Sequence, residues 1–416
     1  VEPFVRQAYE DDRDIHYMRF ASHPPVIEPH DSRVTVHNLD AWSGFESFAL
    51  HVHTIIAEAG KEAFYVFDSL SDLLSAWATD LMIGNFFRIT CPYLFELDTV
   101  AYFAIIRNNH DFKTVARIRE TTQLLIDVYS FEDHIYVHPL KAWKRYSPTM
   151  FFPHMRRGSS FHPILNSADV SDFISHIQKI TTEMTRRNLD FWDRLFLEVE
   201  ELEKADAPES EKKTMTRRLC GLMIGRDERI LRLAEKTFCL SDFITLNSRL
   251  IGTGFIGGKA VGMLMARKMM LNDRAYPWEK ILEPHDSFYV GSDVFYTYIV
   301  QNGLWKTFLE HKTGEGYYTR APELREKMLA GSFPDEINEH FMQIIEYFGQ
   351  SPFIVRSSSL LEDTYGHAFA GKYESWFCVN QGSPHERFEA FINAVRMVYA
   401  STMNEDALAY REQRGL

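Results

Sequence analysis

Apolar residues in the first 160 positions form two patterns that alternate along the chain. The run AFYVFDSL at 63–70 is almost continuously apolar until it reaches an acid, and TVAYFAIIR at 99–107 repeats the pattern. Between them, SDLLSAWATDLMIGNFFRITCPYLFEL has the spacing of a helix. Short buried strands that alternate with helices indicate an α/β domain with a mostly parallel sheet. TTQLLIDVYSF and HIYVHPLKAW are predicted to be its last strands.

The next region, 166–240, is helical in pattern and highly charged. Asn166 and Ser167 are both suitable N-caps for a helix that continues through LEVEELEK. The polar stretch ADAPESEKK at 205–213 interrupts the helix, and RRLCGLMIGRDERILRLAEKTF resumes it. Helices of this kind predict a linker between one domain at 1–165 and another at 241–416.

Composition is that of a globular protein. The 416 residues are 45% hydrophobic and 25% charged, and at roughly 150 residues per domain this length predicts two or three domains. A net charge of −13 argues against non-specific binding to nucleic acid or to a membrane surface. No apolar run reaches the roughly 18 residues that a membrane span needs. The four cysteines form no CxxC pair, which favours reduced thiols in a cytoplasmic protein.

A glycine cluster leads directly into a helical pattern in GTGFIGGKAVGMLMARKMM at 252–270. Gly258 lets backbone N–H groups approach an anion closely, and Lys259 adds an ammonium group at the helix N-terminus. These features suit a phosphate site. The segment is not a Walker A motif, because Thr253 replaces its first glycine and Ala260 follows the lysine. A tight loop without a ligand is the plain alternative.

A second candidate segment is SPFIVRSSSLLEDTYGHAFAGKYESWFCVNQG at 351–382. Its strand ends on Arg356, which can hold a phosphate through two parallel hydrogen bonds. Serine hydroxyls follow, and Gly366 and Gly371 would let the loop close over an anion. The alternative is a β-hairpin in which Arg356 pairs with Glu362 or Asp363.

Together these segments resemble the N-terminal, ATP-grasp-type nucleotide-binding domain of the phosphoenolpyruvate synthase and pyruvate phosphate dikinase family. GGKAVGML matches the G-G-K-G motif, and EPHDSFYVGSDVFYTYIVQNGL matches the strand that comes next. IVRSSSLLEDTYGHAFAGKYESWFCV matches the V-R-S-S strand with its loop, and ASTMNEDALAYREQRGL matches the following helix. The resemblance covers about 245–416 and implies the first part of an α+β domain of the ATP-grasp type.

The resemblance implies ATP binding, with Lys259 and Arg356 on the phosphates and with Gly371 and Ser375 in the loop that covers them. It also implies Mg²⁺ between phosphate oxygens. In the family, ATP phosphorylates a histidine on a mobile domain, and pyruvate then accepts the phosphoryl group, giving AMP, phosphoenolpyruvate and phosphate. Neither a catalytic residue nor a metal ligand is identified in this chain. The supporting candidates from the same motifs are Gly258, Ser357, Ser358, Glu362 and Asp363.

The chain departs from the family pattern at Ala260, Ser287, Lys372 and Cys378, which leaves the lysine and the arginine in place. The family's metal-binding acid, phosphohistidine segment and pyruvate-binding barrel are not in this sequence. The chain is therefore expected to hold part of an ATP site and not to complete a turnover. A non-catalytic nucleotide-binding scaffold or regulatory protein, and a dikinase with another acceptor, are the alternatives. A homo-oligomer is a further expectation.

Residues 1–160 lie outside that resemblance. Their FYVFDSLSDLL, a strand ending in Asp68 and Ser69, is similar to the acid-bearing strand of RecA-type P-loop ATPases. The chain contains no GxxxxGK[ST], so either that loop precedes Val1 or the domain is a non-catalytic relic.

Three histidines of this region are weaker candidates. His51 and His53 lie in a predicted helix on different faces, which argues against a shared metal. His110 follows a strand in RNNHD at 107–111, where a functional loop and ordinary turn chemistry explain the pattern equally well.

Overall fold

A computed structural model describes residues 1–27, 33–106, 109–131, 133–181, 189–205, 207–283, 286–362 and 371–415. Contacts divide the chain into two compact units. Unit 1 comprises Val1–Ala76 and Asp80–Asp193, and unit 2 comprises Trp77–Thr79 and Arg194–Leu416. None of the helices in the described ranges has the length and apolar character that a membrane crossing requires. The predicted division at 165 and 240 stays a prediction.

The described residues form helices and short strands throughout. The α-helices are α1 (Glu2–Glu10), α2 (Phe45–Ala59), α3 (Leu74–Trp77), α4 (Asp80–Glu96), α5 (Phe112–Thr121), α6 (Ser167–Thr181), α7 (Phe191–Lys204), α8 (Glu209–Leu219), α9 (Glu228–Thr237), α10 (Leu240–Asn247), α11 (Gly258–Asn272), α12 (Ser292–Gln301), α13 (Trp305–His311), α14 (Gly316–Thr319), α15 (Ala321–Ala330), α16 (Asp335–Phe348), α17 (Pro384–Ser401) and α18 (Glu405–Arg414). The strands are β1 (Ile15–Arg19), β2 (Val34–Asn38), β3 (Phe64–Phe67), β4 (Val100–Tyr102), β5 (Leu124–Phe131), β6 (His134–Ala142), β7 (His154–Arg157), β8 (Ser160–Pro163), β9 (Leu250–Ile251), β10 (Tyr289–Val290), β11 (Phe353–Arg356) and β12 (Ser375–Cys378).

The first sheet of unit 1 is parallel, with strand order β2-β1-β3-β4. All four residues of β3 are buried, as expected for a parallel strand covered on both faces. Phe64 packs with α1 through Phe4, whereas Phe67 packs with Phe86 of α4. The predicted parallel arrangement of 63–70 and 99–107 is therefore confirmed, while β1 and β2 were not foreseen.

The placement of TTQLLIDVYSF and HIYVHPLKAW in that parallel sheet was wrong. They form β5 and β6, which pair antiparallel in a second sheet of order β5-β6-β7-β8. Only two residues, 132 and 133, separate the two strands. A connection this short can join antiparallel strands but cannot make the crossover that parallel strands need. Unit 1 is thus a mixed α/β unit, and a RecA-type arrangement is not confirmed.

The long helix predicted after Asn166 is two helices, α6 and α7. Asn166 caps α6, since its side-chain oxygen accepts from the Asp169 N–H at 2.8 Å. Asp190 begins α7 by accepting from the Trp192 N–H at 2.7 Å. Burial raises the pKa of Asp190 to about 7. The predicted interruption at 205–213 is confirmed only in its first part, because α7 ends at Lys204 but α8 already begins at Glu209.

Unit 2 is mainly helical, with two small pairs of strands. β9 and β10 are parallel, and β11 and β12 are antiparallel. Its aromatic core joins α12, α16 and α17, with ring contacts from Tyr298 to Phe333, from Phe333 to Phe341 and from Phe341 to Phe391. Because β9 and β10 run in the same direction, the glycine-rich loop after β9 and the start of α12 after β10 lie at the same end of the strands.

Candidate functional site

The glycine-rich loop 252–257 connects β9 to α11 and lies against the start of α12. Asp293, only 3% exposed, accepts the Thr253 N–H at 2.7 Å and the Thr253 hydroxyl at 2.8 Å. Ser292 Oγ accepts the Phe255 N–H at 3.1 Å. A Cβ on Gly291 would lie 2.1 Å from the Thr253 carbonyl oxygen, so this close packing requires a glycine. The loop is therefore held in place by residues at the start of α12.

Sequence reasoning missed Asp293 as the anchor of this loop. Burial raises the pKa of its carboxyl to about 6, against the hydrogen bonds from Thr253 that lower it. A signal was present in Gly-Ser-Asp at 291–293, since small polar residues before an apolar helix are typical of an N-terminus. The pattern does not show that the acid would reach Thr253, 40 positions earlier.

The N-terminus of α11 is covered by the segment 357–362, termed here the serine segment. The Gly258 N–H donates to the Ser359 carbonyl at 2.9 Å, and the Ala260 N–H donates to Ser358 Oγ at 3.0 Å. A Cβ on Gly258 would lie 1.8 Å from the Glu362 carbonyl oxygen. Two of the first N–H groups of the helix are thus satisfied by the protein itself and do not face an anion here.

Lys259 and Glu362 form a partly buried ion pair at this junction. The Lys259 ammonium lies 2.6 Å from Glu362 Oε1 and 3.5 Å from Ser357 Oγ. Glu362 also accepts from the Ser357 hydroxyl at 2.8 Å and from the Ser359 N–H at 2.7 Å. The Glu362 side chain has no exposed surface, whereas 20% of the Lys259 side chain is exposed. The lysine therefore reaches the surface from a fixed position, and the glutamate does not.

Arg356 and Ser375 lie opposite each other at one end of the β11–β12 pair. Both residues are exposed, and the Arg356 side chain has no ion-pair partner among the residues that the structure describes. The alternative pairing of Arg356 with Glu362 is wrong, because the Glu362 carboxylate is occupied by Lys259 and the serine segment. Asp363, the other predicted partner, lies outside the described residues, as does Gly366.

The structure thus brings Gly258, Lys259, Ser357, Ser358 and Glu362 into one cluster. Arg356 immediately precedes Ser357 of that cluster. Ser375 lies opposite Arg356 on the neighbouring strand β12. Gly371 is exposed and has a φ of 73°, a conformation that favours glycine. The assignment of these residues to ATP phosphates stays a prediction, whereas the surroundings of each are now defined.

In unit 1, the predicted strand-end acid Asp68 is fully enclosed. Its carboxylate accepts the N–H groups of Phe20 and Ala21, both at 2.9 Å, and the Tyr17 hydroxyl at 2.6 Å. Arg19 lies 3.4 Å away. All these donors belong to β1 or to the segment directly after it. Asp68 therefore fastens that segment to the edge of the sheet.

His110 belongs to a second buried polar network. One of its ring nitrogens lies 2.7 Å from Ser71 Oγ, and the other lies 2.6 Å from the Asp80 carboxylate. The order Ser–His–Asp is that of a hydrolase triad, but Ser71 is 6% exposed and His110 only 1%. Ser71 Oγ also accepts the Ile106 N–H at 2.7 Å. These buried contacts join the ends of neighbouring elements.

The helix predicted around His51 and His53 is confirmed, and the two side chains differ in burial. α2 includes His51 and His53, and only His53 is buried, where it contacts Thr90 and stacks on Tyr93. Burial lowers the pKa of His53 to about 4. No group of three or more metal-ligating side chains suited to a metal ion occurs within the described ranges.

The four cysteines are free thiols. Cys91, Cys220 and Cys378 are buried, and Cys239 is exposed. The prediction that most of these thiols are buried is therefore confirmed.

Comparison with known protein families gives a match for the C-terminal region. Residues 253–416 match the family model for the pyruvate phosphate dikinase AMP/ATP-binding domain. The predicted resemblance of this region to the nucleotide-binding domain of the family is therefore confirmed. The match indicates an AMP/ATP-binding domain of a dikinase family. No curated protein matches the chain.

One solved structure with some likeness is that of flagellar accessory protein FlaH from Methanocaldococcus jannaschii. It is 13% identical to this chain, and the alignment covers 38% of this chain and 79% of FlaH with a TM-score of 0.24. A likeness of this size does not establish a fold. The weaker RecA-like resemblance of residues 1–160 is accordingly not confirmed.

Proposed function

We propose that residues 241–416 bind ATP as part of an ATP-dependent phosphotransferase resembling phosphoenolpyruvate synthase. Lys259 and Arg356 hold the phosphates, and Gly371 and Ser375 lie in the segment that covers them. The observation that carries the proposal is the position of Lys259, which is fixed internally by Glu362 while part of its side chain stays exposed. Exposed Arg356, one residue from the serine segment, supplies a second cation of the geometry that phosphate prefers.

The residues contribute charge and orientation. An ammonium has three N–H donors, so Lys259 can keep its contact with Glu362 and still donate to a phosphate oxygen. Arg356 can donate two parallel hydrogen bonds to the same anion. Fixed cations of this kind neutralise the charge of a transferring phosphoryl group, which is the main protein contribution in such reactions.

Mg²⁺ accompanies ATP in the reactions of the family, but the described residues do not fit a protein-bound ion. The two buried carboxylates near the loop, Glu362 and Asp293, are both filled by N–H and O–H donors. We therefore assign Mg²⁺ to no side chain of this chain.

A calorimetric titration of the full chain with Mg-ATP tests the site. Lys259→Ala and Arg356→Ala should each weaken binding roughly 10- to 100-fold, which is the loss of a charge-assisted hydrogen bond. Lys327→Ala is the matched control, because Lys327 is also paired with a glutamate, at 2.7 Å, but on the surface of α15. Unchanged affinity in both site variants would show that the phosphates bind elsewhere.

The identity of the acceptor is tested separately on the natural protein with Mg-ATP, resolving AMP from ADP. Pyruvate-dependent AMP together with phosphoenolpyruvate would support the synthase reaction. AMP formed without pyruvate dependence would indicate dikinase chemistry with another acceptor. Nucleotide binding without AMP would favour the second candidate, a non-catalytic nucleotide-binding scaffold. The specific observation in favour of that candidate is that the serine segment already occupies N–H groups of α11.

A further inference from the structure

We infer that Glu362 is a positioning residue for the phosphate-binding lysine. This inference rests on the proposed function and concerns the same site. Glu362 is not a ligand for ATP, because its carboxylate is fully buried and itself negative. It acts through Lys259, whose ammonium it holds at 2.6 Å beside the first turn of α11.

The donors around Glu362 account for its specificity. Oε1 accepts from both Lys259 and Ser357, while Oε2 accepts the Ser359 N–H. All three partners are hydrogen-bond donors, so the site requires an acceptor at both oxygens. A glutamine has one oxygen and one NH₂ group, and in either orientation the NH₂ group would face a donor. The geometry therefore selects a carboxylate and not merely a side chain of this length.

The same contacts restrict Lys259. A free lysine side chain has many rotamers, and it loses most of that conformational freedom when it binds a phosphate. Glu362 removes much of that freedom before the ligand arrives. Because Ser357 and Ser359 also bind Glu362, the position of the lysine is tied to the serine segment that follows Arg356. Glu362 thereby sets the spacing between the two cations of the site.

A double-mutant cycle on the full chain tests this role. Glu362→Gln and Lys259→Met should each weaken Mg-ATP binding at least about 10-fold, with the double variant no weaker than Lys259→Met alone. Such non-additivity arises when one residue acts through the other. Glu323→Gln is the matched control and should leave binding unchanged, because Glu323 pairs with Lys327 at 2.7 Å on the exposed side of α15.

A second readout separates positioning from a structural role. AMP carries one phosphate, so loss of an oriented lysine should reduce ATP affinity more than AMP affinity. Equal losses for ATP and AMP, or additive losses in the double variant, would overturn the inference. Should Glu362→Gln fail to fold, Glu362→Asp retains the charge at a shorter reach, and Ser357→Ala removes the 2.8 Å contact with Glu362 together with the 3.5 Å contact with Lys259. Both should then give graded losses for ATP.

Failure of the inference can be distinguished from failure of the proposed function. Absence of ATP binding by the wild-type chain would overturn the proposed function and the inference with it. Wild-type binding with an unaffected Glu362→Gln variant would overturn the inference alone. Acetylation of lysines, followed by mass spectrometry, checks the ion pair without nucleotide. Lys259 should react more slowly than Lys327 in the wild type and several-fold faster in Glu362→Gln, and equal rates would contradict the pairing.

Discussion

Each unit contains a buried carboxylate that binds N–H donors, but the two carboxylates have different consequences. Asp68 in unit 1 accepts two backbone N–H groups from the segment directly after β1 and a tyrosine hydroxyl from β1 itself. Glu362 in unit 2 accepts from a lysine that keeps part of its side chain exposed. In the first arrangement the donors are enclosed, whereas in the second the carboxylate holds a cation that keeps part of its surface exposed.

This comparison shows why an acid after a strand is a poor indicator of a nucleotide site. Asp68 follows a buried strand, as the acid of a nucleotide site would. The N–H and O–H groups that donate to its carboxylate are nevertheless no longer available to an anion. The more informative feature is a cation with a fixed position and a donor still available. Lys259 in unit 2 is such a cation, because Glu362 holds it while part of its side chain stays exposed.

The largest expected effect is the loss of stability when the enclosed carboxylate of Asp68 is removed. Asp68→Ala leaves the N–H groups of Phe20 and Ala21 and the Tyr17 hydroxyl without their acceptor. We expect the free energy of unfolding to fall by about 3–5 kcal/mol, as when one partner of a buried polar cluster is removed. Urea denaturation measures the change. ATP affinity of the folded fraction should stay at the wild-type value.

A partly exposed acid of the same unit is the control. Asp72→Asn removes a carboxylate with 36% of its side chain exposed, and it should change stability far less than Asp68→Ala. Equal losses in the two variants would mean that the enclosed contacts of Asp68 contribute little.

An intermediate effect is expected where α11 meets the serine segment. Gly258→Ala places a Cβ 1.8 Å from the Glu362 carbonyl oxygen, which forces the two segments apart. Overpacking of this kind costs about 1–3 kcal/mol, and ATP binding should weaken as well because the lysine loses its partner.

Gly262→Ala is the matched control in the same helix, because a Cβ there would meet no atom within 4 Å. Alanine favours a helix over glycine by roughly 0.5–1 kcal/mol, so this variant should be more stable than the wild type. Thermal unfolding and calorimetry of the pair measure both properties. Similar behaviour of the two alanine variants would contradict the close contact.

The smallest effect concerns pH. Burial raises the pKa of Asp293 in the folded protein to about 6 from its ordinary value of 3.8. The folded state therefore binds the proton more tightly than the unfolded chain, and this stability is present below pH 3.8 and lost as the pH rises through about 6. Asp293→Asn removes this dependence.

Urea denaturation at several values between pH 7 and pH 4 tests the point. The difference in unfolding free energy between wild type and Asp293→Asn should shift by roughly 1–2 kcal/mol in favour of the wild type as the pH falls. A difference that is constant over this range would show that the Asp293 carboxyl titrates normally.

Local patterns predicted the elements better than their partners. The continuous apolar run of β3 and the polar break after Lys204 were readable, because burial and turn chemistry act on neighbouring residues. The pairing of β5 with β6 was misjudged, although their two-residue separation contained the answer. The phosphate candidates Lys259 and Arg356 were predicted from local motifs, the glycine cluster before a helix and the strand that ends on an arginine.

The internal partners of the site could not be read from the sequence. Glu362 meets Lys259 across 103 positions, and Asp293 meets Thr253 across 40. No periodicity encodes contacts of such separation, since they depend on how whole elements pack. The same holds for Gly258, whose close approach to the Glu362 backbone shows only in three dimensions.

The backbone contact between α11 and the serine segment has a consequence for biosynthesis. When α11 leaves the ribosome, the residues that accept from Gly258 and Ala260 lie about a hundred positions further along and have not yet been translated. Closing a loop of that length is entropically costly and slow compared with forming the helix itself. The first turn of α11 is therefore expected to stay solvated during most of synthesis, and its contact with the serine segment forms only after that segment has emerged.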